Sequence, residues 1–287
     1  MEFLWDNLDH TSWQDRLQGR AHGLRQSWGY GQAMAAMGAR LGRAVVMENG
    51  AELAQVQVLQ RRGLRVINDG PVWLRDASPD RQRRVLRKLA RHPGVTIATP
   101  PLAQAGWGLV PLITPQSHAV WRIDRDTGIL RAGLQGKWRN RLLKAETGLR
   151  VTALPEAGVD ALIHAEAIQR QARGYANLPG ALARHWPGSK LALGWYSGGA
   201  LQAGMVFLMY GQTASYFLGW ASPVARARFA HGPILWQAAL ALRDRGVQQL
   251  DLGALESDSD SGAALARFKL GTGAAVRVAG STCLVVP

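Results

Sequence analysis

The sequence predicts a mixed α/β protein in which one α+β unit occurs twice along the chain. Two apolar hairpins and the order of the elements after each of them carry that reading. Val45 to Glu48 reads as a strand, Asn49-Gly50 as a tight turn, and Ala54 to Leu59 as the returning strand. Leu191 to Tyr196 leads through Gly198-Gly199 into Leu201 to Phe207 in the same way. Asn-Gly and Gly-Gly between apolar runs favour type I′ turns, which need positive φ at both central residues. Each hairpin is followed by a further strand, a helix and another strand, and the two turns lie about half the chain apart.

In the first half, Gln26 to Leu41 reads as an amphipathic helix with Met34, Met37 and Leu41 on one stripe. After the hairpin, Leu64 to Ile67 is a third strand, broken by Asp69-Gly70-Pro71. Ser78-Pro79 is an N-cap with proline at N1, opening a helix to about Arg91. His92-Pro93-Gly94 stops it, and Val95 to Ala98 is a short buried strand. The Pro- and Gly-rich residues 100–117 read as a loop, and His118 to Asp124 as a strand turned by Asp126-Thr127-Gly128. Lys137 to Glu146 is a basic helix ending at Gly148, followed by the strand Leu149 to Thr152.

The second half predicts a helix over Val159 to Gln171, a loop from Arg173 to Gly188, and a hairpin over 190–208. Ala214 to Trp220 is its third strand, followed by a helix from Gly232 to Arg245 and a strand over Gln248 to Leu252. The acidic loop Glu256 to Asp260 precedes a helix from Ala263 to Leu270, and Ala274 to Val286 closes the chain as a strand. No low-complexity linker interrupts this order. The expected domains are 1–135 and 136–287.

Composition bounds the function. With 47% hydrophobic residues the 287-residue chain can bury a core. No apolar run approaches the roughly 20 residues that span a bilayer, and the N-terminus lacks the basic and apolar regions of a signal peptide. Cys283 is the only cysteine, which excludes an intramolecular disulfide and a cysteine-cluster metal site and fits a reducing, cytoplasmic location. No His, Asp and Glu cluster has metal-ligand spacing, and no serine-hydrolase elbow or Walker loop is present. The net charge is +14, carried mostly by arginine. It reflects either a compositional preference for arginine or an anionic partner: tRNA, a phosphorylated substrate or a membrane surface.

Five short segments, in order, carry a family resemblance: Gln26-Ser27-Trp28-Gly29-Tyr30-Gly31; Gly70-Pro71-Val72-Trp73; Lys137-Trp138-Arg139-Asn140-Arg141 with Lys144-Ala145-Glu146; Asp251-Leu252-Gly253; and Phe268-Lys269-Leu270-Gly271-Thr272-Gly273. Together with the element order, they resemble the Fem-type, bacterial aminoacyltransferases of the GNAT superfamily. That resemblance implies a tandem duplicated GNAT-like acyl-CoA N-acyltransferase fold, with the transfer site in the C-terminal half. It also implies an amine-bearing acceptor, no tightly bound cofactor, and aminoacyl-tRNA or acyl-CoA as donor. A basic surface would then hold tRNA phosphates. The runners-up are an acyl-CoA-dependent enzyme acting on a small-molecule or lipid-precursor amine, and a non-catalytic nucleic-acid-binding or scaffold protein on a degenerate GNAT fold. Two departures stand out. Gln32-Ala33-Met34-Ala35 lacks the lysine that family members binding a nucleotide-linked precursor often carry there. The segment Arg226 to Pro233 keeps one glycine of the usual pyrophosphate loop, and Pro233 has no N–H to donate.

N-acyl transfer needs a neutral amine, and a positive group for the tetrahedral oxyanion. The resemblance assigns that charge to Lys269, one of only five lysines with Lys88, Lys137, Lys144 and Lys190. Asp251 at a strand end could orient the amine or accept its proton. Substrate-binding candidates are Arg139, Tyr175, Tyr216, Trp220, Phe268, His231 and Trp73. Arg139 and Arg141, two apart, cannot share a helical face, so one grips a phosphate while the other faces solvent. Tyr216 and Trp220 alternate along a strand and are expected on one side. His231 either binds an anion at a helix N-terminus or is structural.

Overall fold

The structure is a computed structural model describing residues 1–287 apart from Ala176, Ser257, Asp258 and the side chain of Ser261. Ser257 and Asp258 of the expected acidic loop therefore lie outside the described residues. The chain forms two compact units: unit 1 is 1–117 with 278–287, and unit 2 is 118–277.

Unit 1 contains β1 (Glu2–Trp5), α1 (His10–Leu17), α2 (Trp28–Ala36), β2 (Arg40–Glu48), β3 (Ala51–Arg61), β4 (Leu64–Asn68), β5 (Val72–Trp73), α3 (Pro79–Ala90), β6 (Val95–Thr99) and β7 (Leu109–Ile113). Unit 2 continues with β8 (Ser117–Arg122), α4 (Thr127–Ala132), α5 (Gly136–Glu146), β9 (Thr152–Ala153), α6 (Glu156–Arg173), α7 (Ala181–Arg184), β10 (Lys190–Ser197), β11 (Ala200–Tyr210), β12 (Thr213–Ala221), α8 (Pro223–Ala227), α9 (His231–Arg243), β13 (Gln249–Ala254), α10 (Asp260–Leu270) and β14 (Ala275–Val278). The last strand, β15 (Thr282–Val285), returns to unit 1.

The first sheet runs β1-β2-β3-β4-β6-β15-β7, with β5 on β3, and the second runs β9-β10-β11-β12-β13-β8-β14. The two orders correspond strand for strand. Both hairpin turns have positive φ at both centres, at Asn49-Gly50 and Gly198-Gly199. β4 pairs parallel with β6 and β12 with β13, each pair joined through a helix, α3 or α9. The seventh element of each repeat, however, pairs in the other sheet. β8 sits beside β13, and β15 sits between β6 and β7.

This exchange is why the compact units do not follow the 1–135 and 136–287 division expected from sequence. Residue periodicity reports that a strand exists, not which sheet it joins. The stretch 274–286, expected as one strand, is therefore two strands in two sheets. The helix expected over 26–41 stops at Ala36. Gly38 takes φ +90 and Leu41 belongs to β2. The loop expected over 100–117 contains β7, an edge strand without the usual alternation because four of its five residues are exposed.

Each sheet is covered on both faces. In unit 2, α9 buries Ile234, Leu235 and Ala238 against Ala203, Met205 and Phe207. α6 lies against the other face, where a Cβ at Gly204 would approach Leu162 to 3.0 Å. In unit 1, Val85, Leu86 and Leu89 of α3 pack against Ala44, Val46, Val56 and Val58.

Candidate active site

The elements β8, β13 and α10 of unit 2 bring three titratable side chains together. Asp251 ends the regular part of β13. The pairing then slips by one residue, so that Asp251 faces Val120 while Gly253 faces Ala119. Gly253 absorbs the slip at φ +83 and donates its N–H to Asp251 Oδ1 at 2.8 Å. His118 shares the Val120 face of β8 and holds Nδ1 3.7 Å from Asp251 Oδ1, longer than a direct hydrogen bond. Burial alone would raise the Asp251 carboxyl. His118, the Gly253 N–H and Arg277 outweigh it and hold Asp251 below its ordinary value.

Lys269, on the last turn of α10, is 6% exposed. Its Nζ donates to Ala254 O at 2.7 Å, the one bond it forms among the described residues, although an ammonium carries three donors. Burial pulls its pKa down to about 8, against the opposing pull of Asp251 and Glu256. The Phe-Lys-x-Gly-x-Gly element has a steric basis. A Cβ on Gly271 would sit 2.5 Å from the Trp138 indole, and Gly273 takes φ +83, where a Cβ would sit 2.6 Å from Gly133 O. Phe268 packs on Trp138 at 5.9 Å and on Phe229 at 5.8 Å, which fixes the helix that carries Lys269.

Phe229 also floors a pocket of about 560 Å³ lined by Arg141, Lys144, Arg226 and Arg228. Among the described residues no carboxylate lines it, so four cations face one cavity. Arg141, not Arg139, reaches this pocket; Arg139 is half-buried on α5. The adjoining loop spends its backbone donors on itself. Arg228 N–H donates to Val224 O, Phe229 to Arg226 O, Ala230 to Ala225 O and Gly232 to Phe229 O, all at 2.9 to 3.2 Å. A pyrophosphate cradle of free N–H groups is thus missing along these residues, and the cations are side chains instead.

The remaining sequence candidates are dispersed. His231 Nε2 lies 3.0 Å from Trp220 O; a carbonyl only accepts, so Nε2 carries the proton. Burial lowers the His231 pKa further, which keeps the ring neutral and structural. Tyr175 donates to buried Glu166 Oε1 at 3.1 Å, while Gln169, which contacts Tyr175, also accepts from Arg226. Tyr216, its hydroxyl pushed up by burial, does not share a side with Trp220. A bulge at Phe217 pairs Tyr216 with Phe207 and Trp220 with Gly204, which places the two aromatics on opposite faces. Trp73 lies on β5 of unit 1. Sequence reasoning missed His118, Arg226, Arg228 and Lys144; the three-residue spacing from Arg141 to Lys144 and the two arginines at 226 and 228 were the available signals for the pocket. Among the described residues, no group of three His, Cys, Asp or Glu side chains could hold a metal.

Neither the profiles of known families nor the curated proteins match this chain in sequence. Solved structures do match it in shape. FemX aligns with a TM-score of 0.78 at 11% identity, over 100% of this chain and 98% of its own. The chain carries a Fem-like GNAT fold. A tandem GNAT protein from the clavulanic acid biosynthesis pathway aligns at 0.57 and 13% identity, over 98% of this chain and 97% of its own. The C-terminal domain of a putative lysylphosphatidylglycerol synthetase from Agrobacterium fabrum aligns at 0.54 and 11%, over 92% and 89%. The tandem neighbour accords with the strand-for-strand repetition of the two sheets. No helix among the described residues is long and apolar enough to cross a membrane.

Proposed function

We propose that the chain transfers an aminoacyl group from an aminoacyl-tRNA to an amine, with the chemistry in unit 2. The observation that carries this reading is the buried Lys269, which feels the charge of Asp251 and donates to a single acceptor, Ala254 O, among the described residues. The amine nitrogen attacks the carbonyl carbon of the ester that joins the aminoacyl group to the ribose. The carbonyl oxygen becomes an oxyanion, and Lys269 offsets its charge in a poorly hydrated site, where such a contact is worth most. The C–O bond then breaks, the ribose oxygen leaves as a hydroxyl, and the amine gives up a proton. Asp251, held ionised, orients the attacking N–H.

The donor choice rests on the pocket and its loop. The N–H groups of Arg228, Phe229, Ala230 and Gly232 are already bonded, whereas Arg141, Lys144, Arg226 and Arg228 suit phosphodiesters met by side chains. The test compares charged tRNA with acetyl-CoA and longer acyl-CoAs by thermal shift and by binding across salt concentration. Charged tRNA is expected to bind with a log–log salt slope of about −2 to −3, as for three to four phosphate contacts on single-stranded nucleic acid. Stabilisation by an acyl-CoA, with none by charged tRNA, assigns the donor to thioesters instead. Binding of neither, or transfer surviving without Lys269, points to a binding protein.

A further inference from the structure

We propose that unit 1 docks onto an anionic lipid surface through β7 and the loop that leads into it. Large apolar side chains are concentrated there and face water. Trp107 is 81% exposed, Leu112 53% and Ile113 54%, with Leu102 and Val110 exposed as well. Val286 N–H donates to Gly108 O at 2.8 Å, which brings another exposed aliphatic to the same place. Scattered exposed leucines need no explanation, but a contiguous run that includes a tryptophan does.

The charge beside the run selects the occupant. Arg83, Arg84 and Arg87 of α3 and Arg91 at its C-cap fall on one stripe by helical spacing. Arg83 donates to Ala105 O at 2.9 Å, and Arg87 donates to Pro287 O at 3.0 Å, so the stripe borders the apolar run. Asp80 is the one acid on the stripe, and Arg83 holds it. Arg84 and Arg91 are exposed and form no ion pair among the described residues. Apolar side chains with an amphipathic indole, flanked by guanidinium groups, match the acyl boundary and the phosphate layer of an anionic membrane.

A second copy of the chain fits less well. β7 is the edge of its sheet, but Pro111 at its centre removes a backbone donor from any added strand. The proposal is independent of the transfer chemistry in unit 2, so its test uses no activity.

The full chain is mixed with vesicles of phosphatidylglycerol and phosphatidylcholine in equal parts, and separately with phosphatidylcholine alone, then sedimented. The wild type is expected to bind the anionic vesicles and to lose that binding at high salt. The triple variant Trp107→Ser, Leu112→Ser, Ile113→Ser is expected to bind at least tenfold more weakly. The pair Arg84→Glu, Arg91→Glu, which alters no buried residue, is also expected to weaken binding by more than tenfold, at about fivefold or more per basic residue lost. Equal binding by the wild type and the triple variant overturns the proposal, as does equal binding to both vesicle types. A concentration-dependent dimer abolished by the triple variant, without vesicle binding, assigns the surface to a second copy and also overturns it.

Discussion

Gln57 and Arg43 in unit 1 and Asp251 in unit 2 belong to sheets of the same strand order, with Lys269 of α10 near Asp251, yet the polar atoms of the two clusters are provisioned oppositely. The Gln57 amide is spent. It donates to Arg25 O and Ser27 O and accepts from Arg43 Nε. Gln26 completes the set, with its Oε1 accepting from Gln57 N–H and its Nε2 donating to Asn68 O. The Arg43 guanidinium also donates to Trp28 O and lies 3.4 Å from the centre of the Trp28 ring. A fully satisfied buried network rigidifies a core. In unit 2, among the described residues, Lys269 has a single acceptor, and His118 Nδ1 is buried without a hydrogen-bond partner. Buried polar atoms with nothing to bond are costly unless a substrate supplies the partner. At these two clusters the same architecture serves packing in unit 1 and, on the proposed function, chemistry in unit 2; elsewhere, among the described residues, unit 1 also buries unpartnered polar atoms, including Gln55 Oε1 and Arg65 Nε.

The largest expected effect comes from the exchanged strand. Deleting 279–287 removes β15 from between β6 and β7 and exposes the core positions that Cys283 and Val285 cover. Unit 1 is expected to lose its cooperative melting transition, because such a loss is comparable to the roughly 5–15 kcal/mol that stabilises a domain. If unit 1 melts unchanged, the strand is not integral to its sheet. Next, Gln57→Leu strands the Arg43 Nε and two carbonyls, and is expected to cost about 3 kcal/mol by denaturant titration. Transfer per folded molecule should not change, and a proportional loss of rate would erase the contrast between the units. Replacing both Arg226 and Arg228 by alanine should raise the KM for the donor by about tenfold and flatten its salt slope, with kcat little changed.

The smallest effect is on stability against pH. Lys269 has a folded pKa of about 8, below its unfolded value of about 10.4. The unfolded chain therefore binds that proton more tightly between the two values. The charged lysine costs stability below pH 8, and the cost disappears as pH rises through this window. Wild type is expected to gain on Lys269→Met between pH 8 and pH 10; parallel curves would mean that the lysine is not desolvated.

The fold was legible because its signals are local. Asn49-Gly50 and Gly198-Gly199 announce their turns, Ser78-Pro79 caps α3, and the repeat spacing exposes the duplication. The exchange of β8 and β15 was not legible, since strand pairing is a long-range choice that alternation does not encode. The site was legible in part. Phe268-Lys269 stands out because Gly271 and Gly273 must be small where Trp138 and Gly133 approach. His118 carried no local signal. It joins Asp251 only through a register slip at Leu252, and the expectation for Tyr216 and Trp220 failed through the same kind of slip at Phe217.

The most direct test is single-turnover amide formation from a charged tRNA to an amine at pH 7, comparing wild type with Lys269→Met. Donor affinity and melting are measured on the same samples. The expected loss in rate is about 10²–10³, as for removal of an oxyanion donor, with donor affinity and fold intact. A rate within threefold of wild type would contradict it and move the chemistry away from Lys269.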